Sequence, residues 1–214
     1  EERSFAEKYF IADVLPVLSP QIINAHHPFP HLVNKAIYIV LQLKISDKTA
    51  YGIIPMPAMQ ERLIFLPGNG MRYILLEELI YQYAERVFDN CEIHAKSIIC
   101  VTRNADVNVD SLPDEDEDFR HHMKKVLRKR SRLAPVRLEH CGPIHDKLSK
   151  FLRGKLELKK EQVFQSSAPL EMSYVFPLLD KVPDRISQAV TYVPFEPQVP
   201  PWFKAGDSMI DKVM

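Results

Sequence analysis

The chain has 214 residues, and 46% of them are hydrophobic, which is enough to bury a core and excludes a disordered tail or a collagen-like repeat. Its 28 basic and 28 acidic residues cancel, so the overall charge points to neither nucleic acid nor a membrane surface as a partner. The longest apolar runs, such as 36–43, are shorter than the roughly 18 residues that a membrane-spanning helix needs. Cys91, Cys100 and Cys141 form no CxxC spacing and are predicted to be reduced thiols of an intracellular protein that binds no structural zinc.

Both ends of the chain suggest a piece of a longer protein. Residues 1–14 do not have the pattern of a signal peptide, and the spacing of their apolar residues predicts a helix with one apolar face. That face is expected to contain Phe5, Phe10, Ile11 and Val14. At the other end, residues 194–201 are rich in proline, and we expect them to form a stiff connector to a further domain.

Between these ends, the hydrophobic period alternates between two residues and about 3.6 residues. Residues rich in β-branched and aromatic side chains predict strands at 35–45, 51–56, 62–66, 72–75, 93–103 and 135–141. The turn at 67–70 predicts that 62–66 and 72–75 form an antiparallel hairpin. Helices are predicted at 76–88, 113–133 and 144–152. This order favours an α+β fold with a mainly antiparallel sheet and several packed helices, not a doubly wound parallel sheet.

The helix predicted at 76–88 is amphipathic. Its apolar side is expected to face the core and contains Leu76, Leu79, Ile80, Tyr83 and Val87. Its polar side is expected to be largely solvated and contains Glu77, Glu78, Glu85 and Arg86.

Charge is distributed unevenly. Residues 120–160 contain 14 basic and three acidic side chains, including the run Arg128, Lys129, Arg130 and Arg132. Two interpretations stay open: cations at the end of the helix 113–133 complement the helix dipole, or they form a surface for an extended polyanion. RNA binding would ordinarily add exposed aromatic residues, and this segment offers only Phe119 at its border and Phe151. A phosphate polymer therefore fits better than RNA.

The usual catalytic motifs are absent from the sequence. There is no GxxxxGK[ST] or GxGxxG loop to cradle a nucleotide, no GxSxG serine and no HExxH pair. His121 and His122 are adjacent, so on a helix they point about 100° apart and cannot readily share a metal ion. The chain itself is therefore predicted to contain no catalytic, cofactor-binding or metal-binding residues.

Six sequence strings, in order and in register, resemble the bacterial polyphosphate kinases that synthesise long-chain polyphosphate. They are LPVLSP at 15–20, HHPFPHLVN at 26–34, LLEELI at 75–80, VTRNAD at 101–106, VRLE at 136–139 and PFEPQVP at 194–200. The matching strings fall on the middle or head domain of that family. The resemblance implies a head domain at 1–193 and a connector at 194–214 toward C-terminal catalytic domains that this chain lacks.

The resemblance also implies a function. The family is a magnesium-dependent ATP:polyphosphate phosphotransferase that passes phosphate through a phosphohistidine inside a tunnel. The catalytic histidines belong to the C-terminal domains, so this chain is expected to bind no cofactor and to help build the tunnel wall and a homodimer. Its other implied partners are polyphosphate and the enzyme's own N-terminal and C-terminal domains, in the cytoplasm or at the periphery of the inner membrane. The alternative is a non-catalytic module that binds a polyanion such as RNA through residues 120–160.

His27 lies in a rigid part of the matched strings. Pro28 and Pro30 fix their own φ angles and restrict the residues before them, so this segment is expected to be extended. The geometry should seat Phe29 against the sheet and hold His27 in one place. His27 is interpreted either as a buried, hydrogen-bonded side chain or as part of the tunnel wall.

Asn34 and Arg103 are the other candidates for the tunnel wall or for structural roles. Asn34 is interpreted as a residue of the turn that enters a strand. Arg103 follows a strand pattern and has two interpretations, a local ion pair with Asp106 or a contact with phosphate.

Overall fold

A computed structural model describes residues 1–24, 27–46, 48–104, 120, 134–196 and 198 of the chain. The chain divides into two compact units, Glu1–Leu178 and Leu179–Met214. The extension of the head domain to residue 193 stays a prediction.

Most of the strands in the described residues belong to one sheet. In chain order the strands are β1 Gln21–Ile23, β2 Ile37–Ile45, β3 Lys48–Pro55, β4 Leu63–Phe65, β5 Tyr73–Leu75, β6 Glu92–Arg103, β7 Pro135–Cys141 and β8 Val163–Ser166. Six of them form a sheet in the order β1-β3-β2-β6-β7-β8. The neighbours are antiparallel except β7 and β8, which are parallel. The predicted α+β fold with a mainly antiparallel sheet is confirmed.

The predicted hairpin is also confirmed. Strands β4 and β5 pair antiparallel, with Leu63 opposite Leu75, as a separate two-stranded sheet. The turn between them closes through a hydrogen bond from the Leu66 amide to the Arg72 carbonyl. Gly68 and Gly70 have φ angles of 129° and 86°, which residues with a Cβ rarely adopt.

The helices of the described residues are α1 Glu2–Tyr9, α2 Leu76–Gln82, α3 Ala84–Val87, α4 Asp146–Leu156, α5 Val175–Leu179 and α6 Asp184–Val190. The helix predicted at 144–152 is confirmed as α4. The helix predicted at 113–133 lies outside the described residues except for Arg120, which is helical and exposed.

The first helix buries a narrower stripe than predicted. After α1 the chain continues through a π-helical turn, Phe10–Val14, and a 3-10 turn, Leu15–Val17. Ala6, Phe10 and Val14 are buried at intervals of four residues, whereas Phe5 and Ile11 are exposed. Phe5 and Ile11, which were expected on the same apolar face, flank this buried stripe.

The helix predicted at 76–88 is broken and less exposed than its pattern suggests. It ends at Gln82 as α2 and restarts at Ala84 as α3, because Tyr83 leaves the helical region with φ −105° and ψ 22°. Leu76, Leu79 and Ile80 are buried as predicted. Glu77 was expected on the solvated side but is only 2% exposed, because the hairpin and a later segment cover that side.

Both faces of the six-stranded sheet are covered. On one face α1, the π-helical turn and α2 pack over buried residues that include Phe10, Ile39, Leu41, Leu79 and Ile80. On the other face α4 packs through Leu148, Leu152 and Leu156 against residues that include Tyr38, Val40, Ile53, Val101 and Leu138. Strand β2, predicted as a strand at 35–45, is therefore buried on both sides.

Two strands of the sheet were not predicted. Strands β1 and β8, at its two edges, have three and four residues, too short for an alternating pattern to stand out. Strand β8 pairs in parallel with β7, with Leu138 opposite Val163, and α4 makes the crossover between them. This β7–α4–β8 unit is a βαβ connection within a sheet that is otherwise antiparallel.

The three cysteines are unpaired in the structure. Cys100 is buried on β6, and burial raises the pKa of its thiol to about 11. Burial also raises the pKa of Cys141. Both thiols are therefore protonated at neutral pH and weakly nucleophilic.

The second unit contains the helix α6 in its described part. Residues 192–196 follow without regular structure. The remainder of the predicted connector, apart from residue 198, lies outside the described residues. In the described residues of the whole chain, no helix combines the length and apolar character that a membrane span requires.

Candidate functional site

His27 is held through its backbone and not through its side chain. The Asn24 amide donates to the His27 carbonyl at 2.9 Å, and the His27 amide donates to Asn24 Oδ1 at 2.8 Å. The His27 side chain is exposed, so the interpretation as a buried side chain was wrong. The turn made by Asn24 fixes the segment without burying the imidazole, and the tunnel-wall role stays a prediction.

Phe29 seats against the sheet, as expected from the two prolines around it. Its ring meets the ring of Phe151 on α4 edge-on, with centroids 6.0 Å apart and an interplanar angle of 68°. Phe151 in turn stacks on Tyr51 of β3, with centroids 3.5 Å apart. The segment at 27–30 is thereby attached to the face of the sheet that α4 covers.

The structure brings Asn34 and Arg103 together. The Arg103 amide donates to Asn34 Oδ1 at 2.9 Å, and Arg103 Nε donates to the Leu32 carbonyl at 2.7 Å. The Lys35 amide donates to the Val101 carbonyl at 2.8 Å. Asn34 thus ties the turn before β2 to the end of β6, which agrees with its interpretation as a strand-entry residue. Asp106, the predicted partner of Arg103, lies outside the described residues.

The basic run Arg128, Lys129, Arg130 and Arg132 also lies outside the described residues. The described part of segment 120–160 is nevertheless strongly basic. Helix α4 carries Lys147, Lys150, Arg153 and Lys155. These four side chains form no ion pair with another described residue, whereas Arg137 pairs with Glu139 at 2.7 Å. Arg153 and Lys155 lie in the last turn of α4, where cations also favour the helix dipole.

An ion-pair network around the buried carboxylate of Glu77 was not predicted from the sequence. Arg62 Nη2 and Nε donate to Glu77 Oε1 at 2.6 and 3.0 Å, and Arg62 Nη1 donates to Glu171 Oε2 at 2.8 Å. Arg62 also donates to the carbonyls of Leu170 and Glu171, and its guanidinium lies 5.1 Å from the ring centroid of Tyr174. The network joins the residue before β4, helix α2 and the segment at 170–174. Because the Arg62 network lies away from the α4 cations, we interpret it as a structural network.

Metal ligands do not converge in the described residues. Within those ranges, no three His, Cys, Asp or Glu side chains are grouped so that they could hold an ion. His121 and His122 lie outside the described residues.

Comparison with known proteins identifies the family. A family model described as the polyphosphate kinase middle domain matches residues 1–178. The chain therefore belongs to the polyphosphate kinase family and corresponds to its middle domain. This confirms the resemblance carried by the six sequence strings and favours it over the alternative of an RNA-binding module.

Individual relatives agree with this assignment. A polyphosphate kinase of Bacillus anthracis is 31% identical over 224 aligned residues, which cover all of this chain and 31% of the relative. A polyphosphate kinase of Pseudomonas putida is 27% identical, covering 99% of this chain and 29% of the relative. The chain thus spans less than a third of the length of these curated relatives. The crystal structure of polyphosphate kinase from Porphyromonas gingivalis has the same fold, with a TM-score of 0.64 and 17% identity over 92% of this chain and 28% of that chain.

Proposed function

We propose that the chain is the middle domain of an ATP:polyphosphate phosphotransferase and that it helps to assemble the enzyme without touching the transferred phosphoryl group. The observation that carries this proposal is the match of residues 1–178 to the middle domain. The curated relatives are about three times as long, so most of each relative lies outside the matched region. ATP, magnesium and the phosphohistidine are assigned to those other regions, in keeping with a sequence that has no glycine-rich phosphate loop.

The proposed contribution of this domain is twofold. It provides contacts for a homodimer and for the enzyme's N-terminal and C-terminal domains, and it supplies part of the wall of the polyphosphate tunnel. Large exposed apolar side chains in the first unit support the contact role: Met59 is 99% exposed and Phe176 is 74% exposed. Lys150 and Arg153 of α4 support the tunnel role. The enzyme is proposed to act in the cytoplasm or at the periphery of the inner membrane.

The proposal is tested first by activity and oligomeric state. The 214-residue chain should show no polymer growth when it is incubated with ATP, magnesium and a polyphosphate primer, because the catalytic histidines lie elsewhere. A full-length polyphosphate kinase in the same assay serves as the positive control. Sedimentation of the chain should show a dimer at micromolar concentration. Polymer growth above the blank, or a strictly monomeric chain, would count against the proposal.

A second prediction concerns the run Arg128, Lys129, Arg130 and Arg132. If these cations contact polyphosphate, replacing all four with Ala should weaken polymer binding and flatten its dependence on salt, because fewer counterions are released. The measurement is the slope of log K against log salt concentration for long-chain polyphosphate.

The matched control removes four exposed cations from other parts of the chain: Arg3, Lys8, Lys48 and Lys181. Both variants have the same net charge, so a general charge effect changes both slopes equally. An identical slope in the parent and in the variant of the 128–132 run would show that this run complements only the helix dipole. In that case each cation contributes about 0.3–1 kcal/mol to stability and nothing to polymer binding.

A further inference from the structure

A cleft of about 410 Å³ lies beside α4 in the β7–α4–β8 unit. Its volume falls within the range of about 300–1,000 Å³ that is typical of small-molecule sites. Side chains of β7, α4, the 3-10 turn Lys160–Gln162 and the start of β8 line it, and the polar ones are His140, Asp146, Ser149, Lys150, Arg153 and Lys160. Because β8 is the last strand of the sheet, the cleft lies on the sheet's outer flank.

Helical spacing explains why these side chains converge. Leu148, Leu152 and Leu156 face the sheet at intervals of four residues. Ser149 and Arg153 are each one position further along the helix, so they point about 100° away from the leucines before them, on the flank that faces β8. On β7, His140 is two residues after Leu138 and shares its face of the sheet.

The cleft is positively charged. Lys150, Arg153 and Lys160 contribute three cations, and Asp146 contributes one carboxylate. These three cations form no ion pair with another described residue. Within the described residues, an anion that enters the cleft therefore meets three cations that are not held in ion pairs, and one carboxylate.

Arg153 supplies the most specific observation. Its Nε is buried and has no hydrogen-bond partner in the part of the chain that the structure describes. A buried donor without an acceptor is unfavourable by about 1–3 kcal/mol, and most buried polar groups in proteins are satisfied. An oxygen acceptor in the cleft would satisfy this donor, and a guanidinium is well suited to bind phosphate oxygens.

His140 and Ser149 add hydrogen-bonding groups beside the cations. His140 is 5% exposed, and its Nδ1 lies 2.8 Å from the Gly142 carbonyl. Because a carbonyl oxygen only accepts, Nδ1 carries a hydrogen and donates it to Gly142. The Ser149 hydroxyl both donates and accepts. The cleft therefore offers donors to phosphate oxygens and acceptors to a phosphate hydroxyl.

We propose that this cleft binds a phosphate group, either as inorganic phosphate or as part of a short oligophosphate. Arg153, Lys150 and Lys160 neutralise the phosphate oxygens, and His140 and Ser149 complete the hydrogen bonds. The inference rests on the proposed function only for the polymeric ligand, since a site for inorganic phosphate needs only the residues of this chain.

The test is calorimetric titration of the 214-residue chain with orthophosphate and, separately, with tripolyphosphate at low salt. The Arg153→Gln variant is expected to bind at least about tenfold more weakly, the loss of one charge-assisted hydrogen bond. Lys155→Gln is the matched control, because Lys155 lies in the same last turn of α4 but is absent from the cleft and lies 6.0 Å from the Phe151 ring centroid. The Lys155→Gln variant has the same net charge as the Arg153 variant but keeps every residue that lines the cleft, so it should bind within about twofold of the parent.

Lys160→Gln is a second variant that keeps the test valid if Arg153→Gln unfolds. Lys160 is exposed in a 3-10 turn, so the change should leave the melting temperature unaltered and still weaken binding. Binding of both ligands supports the site with free phosphate as a ligand, and binding of tripolyphosphate alone supports an oligophosphate ligand. Binding of neither, or equal weakening by the cleft variants and Lys155→Gln, would overturn the proposal. These outcomes are independent of turnover and dimerisation, so failure of the site is distinguishable from failure of the proposed function.

Discussion

Replacing Arg62 with Met is expected to lower the free energy of unfolding by about 3–5 kcal/mol, because it leaves a buried carboxylate without its partner. Two guanidinium nitrogens of Arg62 donate to Glu77, whose side chain is 2% exposed. A methionine fills much of the volume of the arginine stem but provides no hydrogen-bond donor. The measurement is urea denaturation of the parent and variant chains, with the midpoint and the slope both fitted.

The contacts of Arg62 with the segment at 170–174 should make the loss of unfolding free energy larger. Arg62 Nη1 also pairs with Glu171, and two backbone carbonyls in the same segment accept from the guanidinium. The variant therefore releases the segment at 170–174 from the hairpin and α2. Increased hydrogen exchange at Ser173 and Tyr174, ahead of global unfolding, would report this local effect.

Arg86→Met is the matched control. Arg86 pairs with Glu7, but these side chains are 52% and 39% exposed, so the pair should contribute about 0–1 kcal/mol. The double variant Arg62→Met with Glu77→Leu should recover part of the lost stability, because an apolar pair of similar volume often replaces a buried ion pair at little cost. Equal losses in the Arg62 and Arg86 variants would contradict the buried-charge argument.

This network also shows where the sequence pattern was insufficient. Glu77 follows Leu76 on an amphipathic helix, and helical periodicity alone places it on the solvated side. Its partner Arg62 lies 15 residues earlier, and Glu171, the other carboxylate that Arg62 binds, lies 94 residues later, and local periodicity carries no information about such contacts. By contrast, β2, β3, β6 and β7 were predicted correctly, and the β-branched residues that are frequent in β2, β3 and β6 reflect burial on the sheet itself.

The candidate site, like the fold, was predictable only in part. The sequence strings that match the family include Asn34 and Arg103, which are 69 residues apart in the chain and in contact in the structure. The buried interpretation of His27 failed because Asn24 holds this turn through the backbone amide and carbonyl of His27. The phosphate cleft could not be predicted, because it depends on the parallel pairing of β8, a four-residue strand, with β7.

Gly52→Ala is expected to destabilise the chain by about 1–3 kcal/mol, although alanine in a strand would ordinarily be favoured over glycine by roughly 0.5–1 kcal/mol. Gly52 lies inside β3, paired with Ile22 on one side and Leu41 on the other. A Cβ at this position would lie 2.8 Å from Phe88 Cζ and 3.1 Å from Leu43 Cδ1. Phe88 is 5% exposed, so its ring cannot move aside without disturbing the core.

Gly154→Ala provides the opposite result in the same chain. A Cβ at Gly154, on α4, would meet nothing within 4 Å, so alanine there should stabilise the helix by about 0.5–1 kcal/mol. Adding Phe88→Leu to Gly52→Ala should cost less than the sum of the two single changes, because leucine lacks the atom that the new Cβ would meet. Urea denaturation of the four variants measures all these differences. Strict additivity of Gly52→Ala and Phe88→Leu, or stabilisation by Gly52→Ala alone, would show that the close approach of Phe88 is not what requires glycine in β3.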